Sequence, residues 1–157
     1  FSVTAADGRD VLPAAIAGIL ARISDMTLFL NPKEESYRRF GSCKAPRYIS
    51  WSAENRSQLI RVPAAEGEYR RAELRSPDAL CNPYLAFALL IRAGMEGIAR
   101  EAQLPPAADL KLFTVPEEVR RRYALLPETL AAAKAAAAGS DFIKENLPES
   151  VFEYYVN

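Results

Sequence analysis

The chain has 157 residues, half of them hydrophobic and a quarter charged, which is the composition of a soluble globular domain long enough to bury a core. Its 20 Lys and Arg balance its 20 Asp and Glu, so no global field points to nucleic acid or an anionic membrane. Histidine is absent, which excludes from this chain a Ser-His-Asp triad, a Cys-His pair and a HExxH zinc site, and leaves any metal to carboxylate oxygens, a donor set for Mg2+ or Mn2+.

The opening, Phe1-Ser2-Val3-Thr4, has no initiator methionine and no basic-then-apolar signal pattern; it reads as the interior of a longer text. From Asp10 to Met26 the apolar residues Leu12, Ile16, Ile19, Leu20 and Ile23 recur at the three-four spacing of one buried helical stripe, with Pro13 in the first turn. Asn31-Pro32 breaks that helix, because the residue before proline is pushed out of the α region. Lys33 to Arg47 is polar and basic and is expected to be a functional loop. Three strands are expected at Tyr48–Ser52, Ser57–Val62 and Tyr69–Arg75, close enough in sequence for an antiparallel meander.

Asn82-Pro83 is a helix start, a cap followed by proline, and the helix through Ile98 is apolar nearly all round, which predicts that it lies inside a core. The chain's most apolar stretch is read as Tyr84 to Ile91, too short to cross a bilayer. Further helices are expected at Glu117–Tyr123 and Glu128–Ala138, with Gly139 as a cap and Ser140 opening a last turn or two. The expected fold class is α+β: a short antiparallel sheet packed by a buried central helix and a helical C-terminal region. Cys43 and Cys81 form no CxxC pair and read as reduced thiols of a cytoplasmic protein.

The chemistry concentrates in Tyr69 to Asp78. Strand alternation puts Tyr69, Arg71, Glu73 and Arg75 on one face, and pairing across Gly67 brings Arg61 beside Arg71 and Glu73. Such a face holds three arginines around one carboxylate and invites an anion, because a guanidinium fork matches phosphate or carboxylate oxygen pairs. The same pattern also fits a sheet with one solvated, charged face. Tyr37, Arg38 and Arg39 in the loop permit an anion grip or an exposed basic pair; nucleic-acid binding is disfavoured by the zero net charge.

Several segments resemble the glutamine synthetase family in one order. They are Asn31-Pro32, Ser36-Tyr-Arg-Arg-Phe40, Ala45-Pro46, Ser50-Trp-Ser-Ala-Glu-Asn-Arg-Ser57, Ile60-Arg-Val-Pro63, Glu73-Leu-Arg-Ser-Pro-Asp78, Asn82-Pro-Tyr-Leu-Ala-Phe87 and Ala93-Gly-Met-Glu-Gly-Ile98. The resemblance implies that residues 1–157 are the C-terminal part of a catalytic domain that joins ammonium to the γ-carboxyl of glutamate through γ-glutamyl phosphate, with ATP as co-substrate and Mg2+ or Mn2+ as cofactor. Position by position it implies Glu73 as a metal ligand, Arg39 and Arg75 (with Arg56) at glutamate, Arg56 at the phosphoryl group in flight, and Arg56 and Arg61 at ATP. It further implies self-association into rings in the full-length protein, a cytoplasmic location, and no nucleic-acid or membrane partner.

The departures from the family pattern are specific. Lys44 stands where the family usually carries a glutamate that helps deprotonate ammonium, which opens two alternatives: a ligase taking a larger amine, or a non-catalytic scaffold module keeping the fold. Glu68 stands where a basic residue is common, and Phe113 stands at the tyrosine that some members adenylylate, so that regulation is expected to be absent. Most of the family's metal-binding glutamates, its metal-binding histidine and much of its ATP site precede this segment, so the isolated chain is expected to be inactive.

Overall fold

The computed structural model describes residues 1, 5–42, 45–65 and 67–157; Cys43, Lys44 and Glu66 lie outside the described residues, as does the side chain of Glu68. Helix α1 spans Leu12–Leu30 with Pro13 in its first turn, and its predicted stripe of Leu12, Ile16, Ile19, Leu20 and Ile23 is buried. It runs one turn beyond the expected Met26, burying Thr27 to Leu30, and stops at Asn31 before Pro32. By length and composition alone α1 is apolar enough to cross a membrane; in this fold it is the core helix.

The second long helix, α3 (Pro83–Ala99; α2 is the single turn Glu34–Tyr37), starts as expected, with Asn82 Oδ1 accepting the Tyr84 N–H at 3.0 Å. It crosses α1 with the two backbones in contact. A Cβ built on Gly18 would stand 2.7 Å from Gly97 Cα, and one on Gly97 the same distance from Gly18 Cα, so only glycine fits at either position. Arg22 fastens the crossing, donating from Nε and Nη2 to the Glu96 carboxylate at 2.8 and 2.7 Å while its guanidinium lies 5.2 Å from the Phe142 ring centre.

Burial of α3 on all sides, the expectation from its sequence, does not hold. Ala86, Leu89, Ala93, Gly94 and Gly97 are buried, whereas Tyr84, Phe87, Ile91 and Met95 are between 57% and 83% exposed. An apolar residue is buried only where another element covers it, and none of the described residues covers this stripe.

The sheet has three two-residue strands in the order β1 (Trp51–Ser52), β2 (Ile60–Arg61), β3 (Glu73–Leu74). The second pair is antiparallel as expected, but β1 and β2 run parallel, which corrects the meander. A link this short reverses twice because its small polar side chains bind their own backbone. Ser52 Oγ accepts the N–H of Asn55 at 2.8 Å, and Asn55 Oδ1 accepts the N–H of Ser57 at 2.9 Å. The expected third strand is shortened as well: Gly67, at φ 58°, opens a 3-10 turn through Tyr69, and pairing begins only at Ala72, which exchanges hydrogen bonds with Phe1.

The C-terminal region is helical: α4 (Glu117–Arg120), α5 (Leu130–Gly139), α6 (Asp141–Asn146) and α7 (Glu149–Val156). Thr129 caps α5 by accepting the Ala132 N–H, and Ser140, rather than Gly139, marks the end of α5 while capping α6. Ser140 Oγ also donates to Asp25 at 2.8 Å, which ties this region to α1. The α+β class with a short sheet, a long packed helix and a helical C-terminus is the observed architecture.

Candidate active site

The β2–β3 register sets Arg61 opposite Glu73, and strand alternation sets Arg75 on the same face as Glu73. Arg61 donates from Nε and Nη2 to Glu73 Oε2 at 2.9 and 2.6 Å, and Arg75 Nη1 donates to Oε1 at 2.7 Å. The arginine side chains are 18% and 12% exposed and the carboxylate 39%, so the cluster has its acidic member toward the opening. Burial alone would raise the Glu73 pKa, but the Arg61 hydrogen bonds and charge, with those of Arg75, hold it below the usual carboxylate value. Two guanidiniums converge on this carboxylate, and guanidinium forks match the oxygen pairs of a phosphate or a substrate carboxylate.

Arg71 does not join them. It is exposed and donates to the Tyr69 carbonyl at 3.0 Å, because the turn at Gly67–Tyr69 takes it out of the strand that would have aligned it. Arg56 lies on the turn between β1 and β2, exposed and without a hydrogen bond or ion pair among the described residues.

Arg39 is placed by partners that strand periodicity does not reveal. Its Nη2 donates to Asn31 Oδ1 at 3.0 Å and to the Ser76 carbonyl at 3.1 Å, and its Nε lies 3.2 Å from Asp78 Oδ2. Asn31 and Ser76 are buried, and the Asp78 N–H donates to the Leu30 carbonyl, so Arg39 joins the end of α1 to the segment after β3. Burial pushes the Asp78 pKa up, but the Leu80 N–H, the Ser36 hydroxyl and the charge of Arg39 bring it below the ordinary value. Asn31, Ser76 and Asp78 all fall in the quoted motifs; their signal was their place beside prolines, which stop regular structure and free polar groups to bind a side chain. Tyr37 packs edge-on against Phe40 at 5.7 Å, and burial pushes its phenol pKa up.

These residues do not make a metal site by themselves. Both Glu73 oxygens are held by guanidiniums, and no group of three His, Cys, Asp or Glu able to hold an ion occurs among the described residues. Glu73 can supply one carboxylate ligand, with the remaining ligands coming from elsewhere.

Beside the cluster runs an apolar groove of about 600 Å³ whose walls include Glu73, Leu74, Phe87, Ile91 and Met95. Of the cluster, Glu73 alone lines this groove, together with Phe87, Ile91 and Met95 of the exposed α3 stripe.

A family model described as glutamine synthetase, catalytic domain, matches residues 4–157. The glutamine synthetase of Methanosarcina mazei is 44% identical over 144 residues, which cover 90% of this chain and 32% of that protein; that of Thermus thermophilus is 40% identical over the same shares. The chain thus spans about a third of the length of the curated relatives it matches. Among solved structures, GmaS in complex with ADP superposes with a TM-score of 0.81 at 26% identity, covering 99% of this chain and 37% of that one, and GmaS without ligand superposes at 0.80. The order of motifs, the Arg61–Glu73–Arg75 face and these matches agree: the chain belongs to the glutamine synthetase catalytic-domain family.

Proposed function

We propose that this chain is the C-terminal, anion-holding part of an ATP-dependent ligase that joins a nitrogen nucleophile to the γ-carboxyl of glutamate. The observation that carries it is the Arg61–Glu73–Arg75 cluster, one carboxylate between two guanidiniums at hydrogen-bond distance. Phosphoryl transfer to a carboxylate is catalysed chiefly by positioning and charge neutralisation, and this face supplies fixed positive charge. In this reading Arg75 and Arg61 take the substrate carboxylate and the nucleotide phosphates, and the exposed Arg56 is free to move onto the transferred group. Arg39 holds the loop and the Ser76–Asp78 segment in place around glutamate. The family implies ATP together with Mg2+ or Mn2+; the rest of that metal's ligands belong to the part of the domain that precedes this segment in the family. Cytoplasmic location and assembly into rings belong to the same reading.

Two observations refine it. The groove that contains Glu73 is walled by the exposed stripe of α3, so the remaining two thirds of a relative's length has an apolar face to cover and would stand against the carboxylate when it does. That supports a site incomplete in this chain alone. Lys44, outside the described residues, puts a cation where the family has a glutamate beside ammonium, which leaves two nucleophiles to compare, ammonium and a primary amine. The test is the full-length product assayed with ATP and glutamate against ammonium and a small alkylamine. Faster γ-glutamylalkylamide formation supports the amine reading, faster glutamine formation supports ammonium, and formation of neither amide overturns the ligase assignment.

A further inference from the structure

Arg56 sits on the link between β1 and β2, and its two neighbours close on each other around it. Asn55 Oδ1 accepts both the N–H and the hydroxyl of Ser57, at 2.9 and 2.8 Å, while Ser52 Oγ accepts the Asn55 N–H. The other half of the Asn55 amide reaches out of the turn. Its Nδ2 donates to the Leu110 carbonyl at 2.9 Å, and buried Gln58 donates from Nε2 to the same carbonyl at 2.6 Å. Gln58 is itself fixed, its Oε1 accepting the Ser50 hydroxyl at 2.5 Å. Leu110 belongs to a segment laid along β1: the Trp51 indole N–H donates to the Pro105 carbonyl at 2.6 Å, and the Ala108 N–H donates to the Trp51 carbonyl at 2.8 Å. Leu112, fully buried, anchors the end of that segment.

An exposed turn held only by its own bonds moves on the nanosecond-to-microsecond scale. Here two amides meet on one carbonyl that lies 55 and 52 residues away in sequence, which ties the turn to a second segment. The Arg56 side chain remains exposed, with no partner among the described residues, while the backbone that carries it is held. A group that must meet charge developing in a reaction loses rate steeply when misplaced, so a fixed base matters more for it than for an ordinary surface residue. We propose that Asn55 is a positioning residue: by joining the turn to the Leu110 carbonyl it fixes the base from which Arg56 reaches the transferred phosphoryl group. This rests on the role given to Arg56 in the ligase reading. Gln58 braces the same carbonyl, but it is buried and its substitution would disturb the core; half-buried Asn55 is the residue to change.

The test uses the full-length protein with ATP, glutamate and either ammonium or a small alkylamine, whichever gives the faster amide formation, and compares the parent with Asn55→Asp, Arg56→Ala and the double variant. Aspartate keeps an oxygen that accepts the Ser57 N–H but has no hydrogen to give the Leu110 carbonyl. Asn55→Asp is expected to lower kcat about tenfold, with KM for ATP and glutamate unchanged within about twofold. Hydrogen exchange over residues 53–58 is expected to rise while α1 keeps its protection. Added to Arg56→Ala, the same change is expected to lower kcat no further, because its effect runs through Arg56. An equal fractional loss in both backgrounds, or an Asn55→Asp protein with the parent's kcat, overturns the proposal and leaves Arg56 its place in the reaction. Parental kcat in Arg56→Ala, or formation of no amide by the parent, overturns the ligase reading of Arg56 and the proposal with it. Should Asn55→Asp fail to fold, Asn55→Ser, whose hydroxyl is too short to reach Leu110, takes its place in the same comparison.

Discussion

The two faces of α3 are built to opposite rules. Toward α1 it presents Ala86, Leu89, Ala93, Gly94 and Gly97, mostly small residues that let two helix backbones touch. Away from α1 it presents Tyr84, Phe87, Ile91 and Met95, large apolar side chains left in solvent. The inner face is complete within this chain, with the Arg22–Glu96 pair fastening its edge. The outer face is a contiguous apolar stripe beside a charged opening, the mark of a surface that works when covered. Stability and activity should therefore respond to different residues of one helix.

The largest stability effect is expected on the inner face. Gly97→Val places a branched side chain against the Gly18 backbone, and since neither backbone can yield without parting the helices, the cost is about 3 kcal/mol. Urea unfolding of the chain should show the midpoint collapse, and a variant within ~0.5 kcal/mol of wild type would mean that the crossing is looser than described.

Glu73 borders the outer face, and Glu73→Gln removes the negative charge to which Arg61 and Arg75 donate. The expected loss is about 1–2 kcal/mol, below the full penalty for a buried pair because the carboxylate is 39% exposed. Its pH dependence has a definite sign. Glu73 and Asp78 both have folded-state pKa values held below their ordinary 4.5 and 3.8, so the stability they contribute is complete above those ordinary values and is lost as pH falls through the lowered ones. Urea midpoints taken downward from pH 6 should drop less steeply in Glu73→Gln than in the parent. On the proposed ligase reading, the same substitution in the full-length protein should abolish product formation, a loss far larger than its effect on stability.

Asn82→Ala removes the cap of α3 and touches neither face, so it measures the helix itself. The expected cost is about 1 kcal/mol in the same unfolding assay, with ligase activity retained.

What could be read beforehand followed from local periodicity. The buried stripe of α1 and the pairing of Arg61 with Glu73 both follow from residue spacing, because helix and strand periods decide which side chains share a face. The parallel pairing of β1 and β2 was hidden because Ser52 and Asn55 bind backbone N–H groups inside a short link, and no pattern of apolar residues reports that. The anchors of Arg39 come from three separated segments, which spacing within one element cannot bring together. On α3, composition revealed that both faces are apolar but not which one has a neighbour. Burial depends on the partner as much as on the helix, so the outer stripe lies in solvent although its residues are apolar.

The smallest expected effect is the most discriminating. Ile91 is exposed on the outer stripe, so Ile91→Glu removes no contact that this chain makes fully and should change its stability by no more than ~0.5 kcal/mol, while making the isolated chain less prone to self-association. On the proposed reading, in the full-length protein the same charge would lie under whatever covers the groove beside Glu73, where an unpaired carboxylate is strongly disfavoured. Assembly and activity should then fall together, measured by size-exclusion chromatography and by the ligase assay on the same preparation. A full-length variant that keeps both would show that the outer face stays in solvent, and the contrast between the two faces of α3 would be one of packing alone.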